Sequence, residues 1–233
     1  MSVHDGHRAR MRERFLENGL DNFAEHEALE MLLYHCLPRG DTNDLAHRLI
    51  REISSLPQVL EASVEDLQKV DGVGKHTAES LHFFAHFCRY YVVKQAQDEG
   101  NPLDSVKSSG NYLWPRFMGQ RNELVYIVCL DAKAKVLNCK LLAEGSMNSA
   151  AVSVRKIVEV ALSANASSVI LAHNHPSGLA VPSGEDAQTT LTVAKALRTV
   201  DIILKDHLVF SRTDYVSMRE SGYYDPRMVY ELR

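Results

Sequence analysis

Two histidines two positions apart, His173 and His175, open the run HNHPSGLAVPSGED, which closes on Ser183, Gly184, Glu185 and Asp186. Two imidazole nitrogens and one carboxylate oxygen form the three-donor set of an open catalytic zinc site, whose remaining position holds water. The same letters have a second reading. Ser183-x-x-Asp186 is also a capping box, in which the serine accepts from helix N-terminal N–H groups and the acid interacts with the helix dipole. Capping is far commoner than ligation, whereas paired histidines at a strand end are harder to dismiss, and both readings stand at this point.

The flanking patterns supply the elements that would have to position these groups. SSVILAHNH reads as a buried strand, and alternation along a strand puts His173 and His175 on one side with Asn174 on the other. Pro176 lacks a ladder N–H and Gly178 permits a sharp turn, so the strand ends there and the chain returns to a helix starting near Ser183. Asp186 then lies in the first turn of that helix, GEDAQTTLTVAKALRTV, beside the histidines. Upstream, ELVYIVCL and KVLNCKLLAEG flank the polar DAKA as a β-hairpin, and SVRKIVEVALSAN is helical. Downstream, IILKDHLVFS is a further strand. These elements give a mixed α/β domain over 108–233. Residues 1–95 repeat apolar positions at three and four spacings, as in Leu29, Leu32 and Leu33, and form a small all-helical domain. The polar, Gly- and Pro-containing stretch 96–107 reads as a linker, and the fold class is α+β.

With 45% hydrophobic residues in 233, the chain can build a real core, and its net charge of −4 confines any polyanion-binding role to a local patch. Cys36, Cys88, Cys129 and Cys139 lie far apart with no CxxC pair, so neither a cysteine zinc site nor a disulfide framework is signalled. A cytoplasmic location is expected. The N-terminal MSVHDGHRARMRER is charged where a secretory signal would be apolar, and no run approaches the roughly 18 apolar residues of a membrane span.

The spacing His-x-His, seven residues, Ser, two residues, Asp resembles the JAMM (MPN-plus) metalloprotease motif, and HNHPSG with PSGED resembles its RadC-type branch. The likeness extends over roughly residues 105–222, and the helical half resembles the domain preceding it in RadC proteins. It implies a JAMM/MPN, cytidine-deaminase-like fold and a zinc metallopeptidase or isopeptidase. His173, His175 and Asp186 would hold Zn(2+), and Ser183 would hydrogen-bond near the bound water or the oxyanion. The resemblance further implies a catalytic Glu, matched by Glu144 in LLAEGS, where composition alone suggests a solvated residue. Ser153-Val154-Arg155-Lys156 replaces the His-Pro-Arg-Glu of many relatives and keeps only the arginine; Leu179-Ala180 replaces a common Asp-Pro. Asp206 and His207 match an Asp-His pair of the branch; His207 reads as a partner behind a ligand or, preferably, as a packed residue donating to a backbone carbonyl. The alternative is a DNA-associated accessory protein with a structural or regulatory metal.

In the helical half, SVEDLQKVDGVGKHTAESL resembles a helix-hairpin-helix motif, over about 63–90. Gly72 and Gly74 would let backbone N–H groups approach a phosphate and Lys75 would add charge, giving weak, sequence-independent contact with DNA or another phosphate; equally, the GVG turn merely packs the two helices. Residues 1–95 carry 11 Lys and Arg against 15 Asp and Glu, which is poor for a DNA binder. Arg8, Arg10, Arg12 and Arg14 read as a solvated face, and most of Phe83, Phe84, Phe87, Tyr90 and Tyr91 as core.

Overall fold

A computed structural model describes residues 3–98, 100–145, 153–176 and 178–229, which divide into two compact units, Met1–Tyr90 and Tyr91–Arg233. The first unit is helical: α1 (Val3–Asn18), α2 (Glu25–Cys36), α3 (Thr42–Ile53), α4 (Leu56–Glu61), α5 (Val64–Leu67) and the first part of α6 (Lys75–Asp98). Leu29 and Leu33 of α2, Leu45 and Leu49 of α3, and Leu81 of α6 recur at helical spacing and meet in one buried cluster. Side-chain caps start α3 and α5, with Asp41 accepting from Asn43 and Asp44 N–H groups, and Ser63 from that of Asp66.

Two expectations about side chains fail here. The arginines of α1 are not simply solvated: Arg8 donates to the carbonyls of Leu37, Pro38 and Gly40, and Arg14 pairs with Glu27 at 2.8 Å, so these side chains staple α1 to α2 and the turn after it. The aromatic residues of α6 are largely not core, since Phe83, Phe87, Tyr90 and Tyr91 are each more than half exposed. Their spacing is helical, but Ala78 and Leu81 occupy the face that meets α2 and α3. Helix α6 also continues to Asp98, past the start of the expected linker, because Lys94–Gln97 is polar without being helix-breaking; Gly100 and Pro102 follow its end.

The second unit begins with α7 (Val106–Phe117), a helix whose Gly110 and Pro115 conceal it in the sequence. Then come β1 (Leu124–Leu130), β2 (Val136–Glu144), α8 (Val154–Ser163), β3 (Ser168–Asn174), α9 (Gly184–Arg198), β4 (Ile203–Phe210), β5 (Tyr215–Ser217) and a 3-10 turn (Pro226–Val229). The sheet order is β2-β1-β3-β4-β5. The expected hairpin is β1–β2, and its turn is held by Asp131, whose carboxylate accepts from the Lys133 and Lys135 N–H groups. Among the described residues only β3 and β4 pair in parallel. A parallel neighbour needs a crossover, and α9 is that crossover. Its N-terminus therefore returns to the C-terminal end of β3, where HNHP stands.

Alternation splits the sheet between two cores. Ile127, Leu171, Val209 and Leu204 pack with Ile157 of α8 and Val193 and Leu197 of α9; Val128, Ala172, Leu208 and Phe210 pack with Leu113 and Phe117 of α7.

Candidate metal centre

His173 pairs in register with Val125 and Val209, on the α8/α9 side of the sheet. His175 follows on the same side, its N–H donating to Phe210 O at 2.8 Å and so extending the strand ladder. Asn174 does point away: its Oδ1 accepts from Leu124 N–H at 2.6 Å and its Nδ2 donates to Asn122 O, fixing the entry to β1. Asp186 lies in the first turn of α9, buried.

His173 Nε2 lies 3.0 Å from His175 Nε2 and 3.3 Å from Asp186 Oδ1, and His175 Nε2 lies 3.8 Å from Asp186 Oδ2. Among the described residues this is the group of acids, cysteines and histidines able to hold a metal ion, with donor atoms all within 4.8 Å. Ligands about 2.0–2.1 Å from a tetrahedral zinc stand roughly 3.3 Å from one another, so the distances of His173 Nε2 from His175 Nε2 and from Asp186 Oδ1 fit such an ion. The donor chemistry fits as well. His175 Nδ1 lies 3.2 Å from Leu179 O, which can only accept, so a proton on Nδ1 has a partner there and Nε2 is the nitrogen available to an ion. The neighbouring carboxylate is likewise an acceptor.

The capping reading holds at the same time. Ser183 Oγ accepts from Asp186 N–H at 3.1 Å, while Asp186 Oδ2 accepts from the Ser183 N–H and hydroxyl, each at 2.7 Å. The carboxylate divides its work: Oδ2 closes the capping box and Oδ1 faces His173. Burial is the main force on the His173 ring and lowers its pKa to about 4, with Asp186 opposing and His175 adding to the shift. The His207 ring is likewise pushed well below its ordinary value, by burial first and then by His173 and His175. Both rings are neutral at physiological pH.

His207 does not donate to a backbone carbonyl as expected. Its Nε2 lies 2.8 Å from His173 Nδ1 and its Nδ1 lies 2.7 Å from the hydroxyl of Thr190. Asp206, buried opposite Ile170, instead closes the β4–β5 corner: it accepts from the His207 and Arg219 N–H groups and from the Ser217 hydroxyl. Burial raises its pKa. Thr190 escapes the sequence reading, although it stands four residues after Asp186 and so on the same helix face.

Glu144 is exposed and stands opposite Leu124, one position beyond the row Ala143–Val125–His173; its Oε1 accepts from Asn122 Nδ2 at 2.8 Å. It is not a member of the three-donor group. Ser153 caps α8 and Lys156 Nζ donates to Leu142 O, tying α8 to β2. Gly72, Gly74 and Lys75 belong to the other compact unit. Gly72 has φ +89° and Leu45 lies close by; Lys75 Nζ is 3.7 Å from Glu79. No helix of the described residues is long and apolar enough to cross a membrane.

Residues 103–223 match the RadC-like JAB domain family, and residues 6–79 match the UPF0758 N-terminal family. A UPF0758 protein of Fusobacterium nucleatum subsp. nucleatum is 33% identical over 224 residues, covering 93% of this chain and 96% of that one. The chain belongs to the RadC-like JAB domain family.

Proposed function

We propose that the protein is a zinc-dependent hydrolase of amide bonds, acting on a peptide or isopeptide, with His173, His175 and Asp186 as the metal-holding residues. The observation that carries this reading is the convergence of two imidazole nitrogens and a carboxylate oxygen at the end of a buried strand. Bound zinc supplies Lewis acidity, polarising a carbonyl and making water acidic enough, at a pKa of about 7, to attack it.

The chain's own side chains supply the rest. Glu144 serves as the general base and then gives its proton to the departing amine. To do so its carboxylate exchanges the hydrogen bond from Asn122 for one from the attacking water. Ser183 is the hydrogen-bond donor to developing negative charge on the substrate. Its hydroxyl proton is directed at Asp186 Oδ2, so substrate competes with the cap for that proton. All four cysteines are free, which suits a reducing cytoplasm.

Metal content and turnover test this directly. Freshly purified protein should carry about one zinc per chain, and His173→Ala or Asp186→Ala should lose it. Glu144→Gln should keep the metal and lose hydrolysis of the responsive substrate in a peptide and isopeptide panel. A full complement of zinc without turnover on any member would defeat the hydrolase reading.

A further inference from the structure

His207 can either donate to His173 Nδ1 or accept from it, and only the second choice leaves His173 Nε2 as a bare donor atom facing His175 and Asp186. The neighbours of Thr190 make that choice. Its hydroxyl lies 2.6 Å from the backbone carbonyl of Asp186 and 3.6 Å from Met218 Sδ, both acceptors, so its single proton goes to the carbonyl. The remaining neighbour, His207 Nδ1 at 2.7 Å, must then be the donor. No carboxylate hydrogen-bonds to the His207 ring among the described residues; its side-chain partners are a hydroxyl and an imidazole. A neutral His207 with its proton on Nδ1 has a bare Nε2, which accepts from His173 Nδ1–H at 2.8 Å. His173, neutral in turn, is left with a lone pair on Nε2.

We propose that Thr190, acting through His207, is a positioning residue that fixes His173 in the Nδ1–H tautomer and thereby builds the inward-facing donor atom in advance of any metal. The relay begins and ends on one residue: the Asp186 carbonyl accepts the Thr190 proton, and Asp186 Oδ1 meets the His173 nitrogen that the relay has bared. Every side chain in it is fully or almost fully buried, so water does not compete for these protons. A ligand's second nitrogen anchored in this way fixes both ring orientation and tautomer.

The functional sense of the proposal rests on the metal reading above, but the tautomer needs no metal to be observed. In full-length protein labelled with 15N-histidine and stripped by chelator, long-range 1H–15N spectra at pH 7.5 should show His173 protonated on Nδ1 and bare on Nε2. The opposite tautomer in the unmutated protein overturns the proposal, whatever the variants do. Thr190→Val removes the hydroxyl at nearly constant volume. It should mix or reverse the His173 tautomer and weaken zinc binding by roughly 10–100-fold, and Thr190→Ser should restore both. An unchanged tautomer in Thr190→Val, or equal loss of affinity in Val and Ser, would reduce Thr190 to packing. If the expected tautomer responds to Thr190→Val and yet the unmutated protein binds no added zinc, the metal reading fails and the relay stands.

Discussion

The two faces of the same sheet do different work, although the residues that separate them are adjacent on the same strands. Under α7 the filling is aromatic: Phe117 stacks on Phe210 with centroids 4.5 Å apart, Phe210 on Tyr215 at 5.3 Å, and Trp114 lies 6.1 Å from both Phe210 and Tyr215. Under α8 and α9 the filling is mainly aliphatic, with Tyr224 as its buried aromatic ring, and toward the end of β3 it gives way to His173, His207, Thr190 and Asp186. One face uses its burial to hold the sheet; the other uses burial to keep imidazoles neutral and hydrogen bonds free of water. Alternation permits both because His173 and His207 project away from the side occupied by Ala172, Leu208 and Phe210. Damage to the aromatic face should therefore read out as stability, and damage to the polar end as chemistry.

The largest stability effect belongs to the aromatic face. Phe210 is fully buried, and Phe210→Ala should cost about 3–5 kcal/mol in urea unfolding. The protein that remains folded should still bind zinc with unchanged stoichiometry, since the ring lies on the far side of the sheet. Loss of zinc from folded Phe210→Ala would break the division between faces.

Gly110 tests how closely that face is packed. A Cβ there would lie 2.2 Å from Cζ of Tyr215, a contact that no rotamer change of alanine can relieve. Alanine is the better helix former by about 1 kcal/mol, yet Gly110→Ala should destabilise by roughly 1–3 kcal/mol through overpacking. Adding Tyr215→Ala, which removes the opposing ring, should make the Gly110 substitution neutral or favourable in a double-mutant cycle. Strict additivity of the two changes would show that the ring is not the obstacle.

The polar end should appear in the pH dependence of the metal-free protein. An imidazole in the unfolded chain has a pKa of about 6.5, whereas that of His173 is lowered to about 4 and that of His207 lies well below its ordinary value. Above pH 6.5 neither state takes up protons at these rings. Below it the unfolded chain gains protons that the folded one refuses, so stability falls from about pH 6.5 toward pH 4. Urea midpoints at pH 7.5 and 5.5 should show the fall, and His207→Gln should make it shallower. An equal fall in that variant would detach the effect from the relay.

Legibility in the sequence divides along the same line. The strand, the turn and the first helical turn around HNHPSGLAVPSGED were all readable, because period-two alternation, a Pro–Gly stop and a capping signature are local features. Helix α7 was not, since Gly110 and Pro115 argue locally against a helix; the reason for Gly110 is the ring of Tyr215, far along the chain. The aromatic spacing of α6 showed a helix but not which side of it meets α2 and α3. Thr190 and His207 carried weaker signals. Position four after Asp186 marks a shared helix face, but only the parallel pairing of β3 with β4 brings His207 between Thr190 and His173. The capping box at Asp186 does not exclude the proposed ligand role, because Oδ2 closes the cap while Oδ1 faces His173.

That arrangement supports the smallest effect, and the one that separates the proposed catalytic role of Ser183 from its role as a cap. As an N-cap, Ser183→Ala should cost about 1 kcal/mol, whereas Ser183→Gly should cost only a few tenths. Both substitutions remove the same hydroxyl from Asp186 Oδ2 and from the substrate side of the site. If capping were the whole contribution, turnover measured well below the melting transition would be preserved in both. If the hydroxyl donates to developing charge, Ser183→Gly should lose turnover as fully as Ser183→Ala despite its near-normal stability. Equal loss in glycine and alanine would sharpen the contrast between the faces, because a residue nearly silent in folding would then prove costly in chemistry.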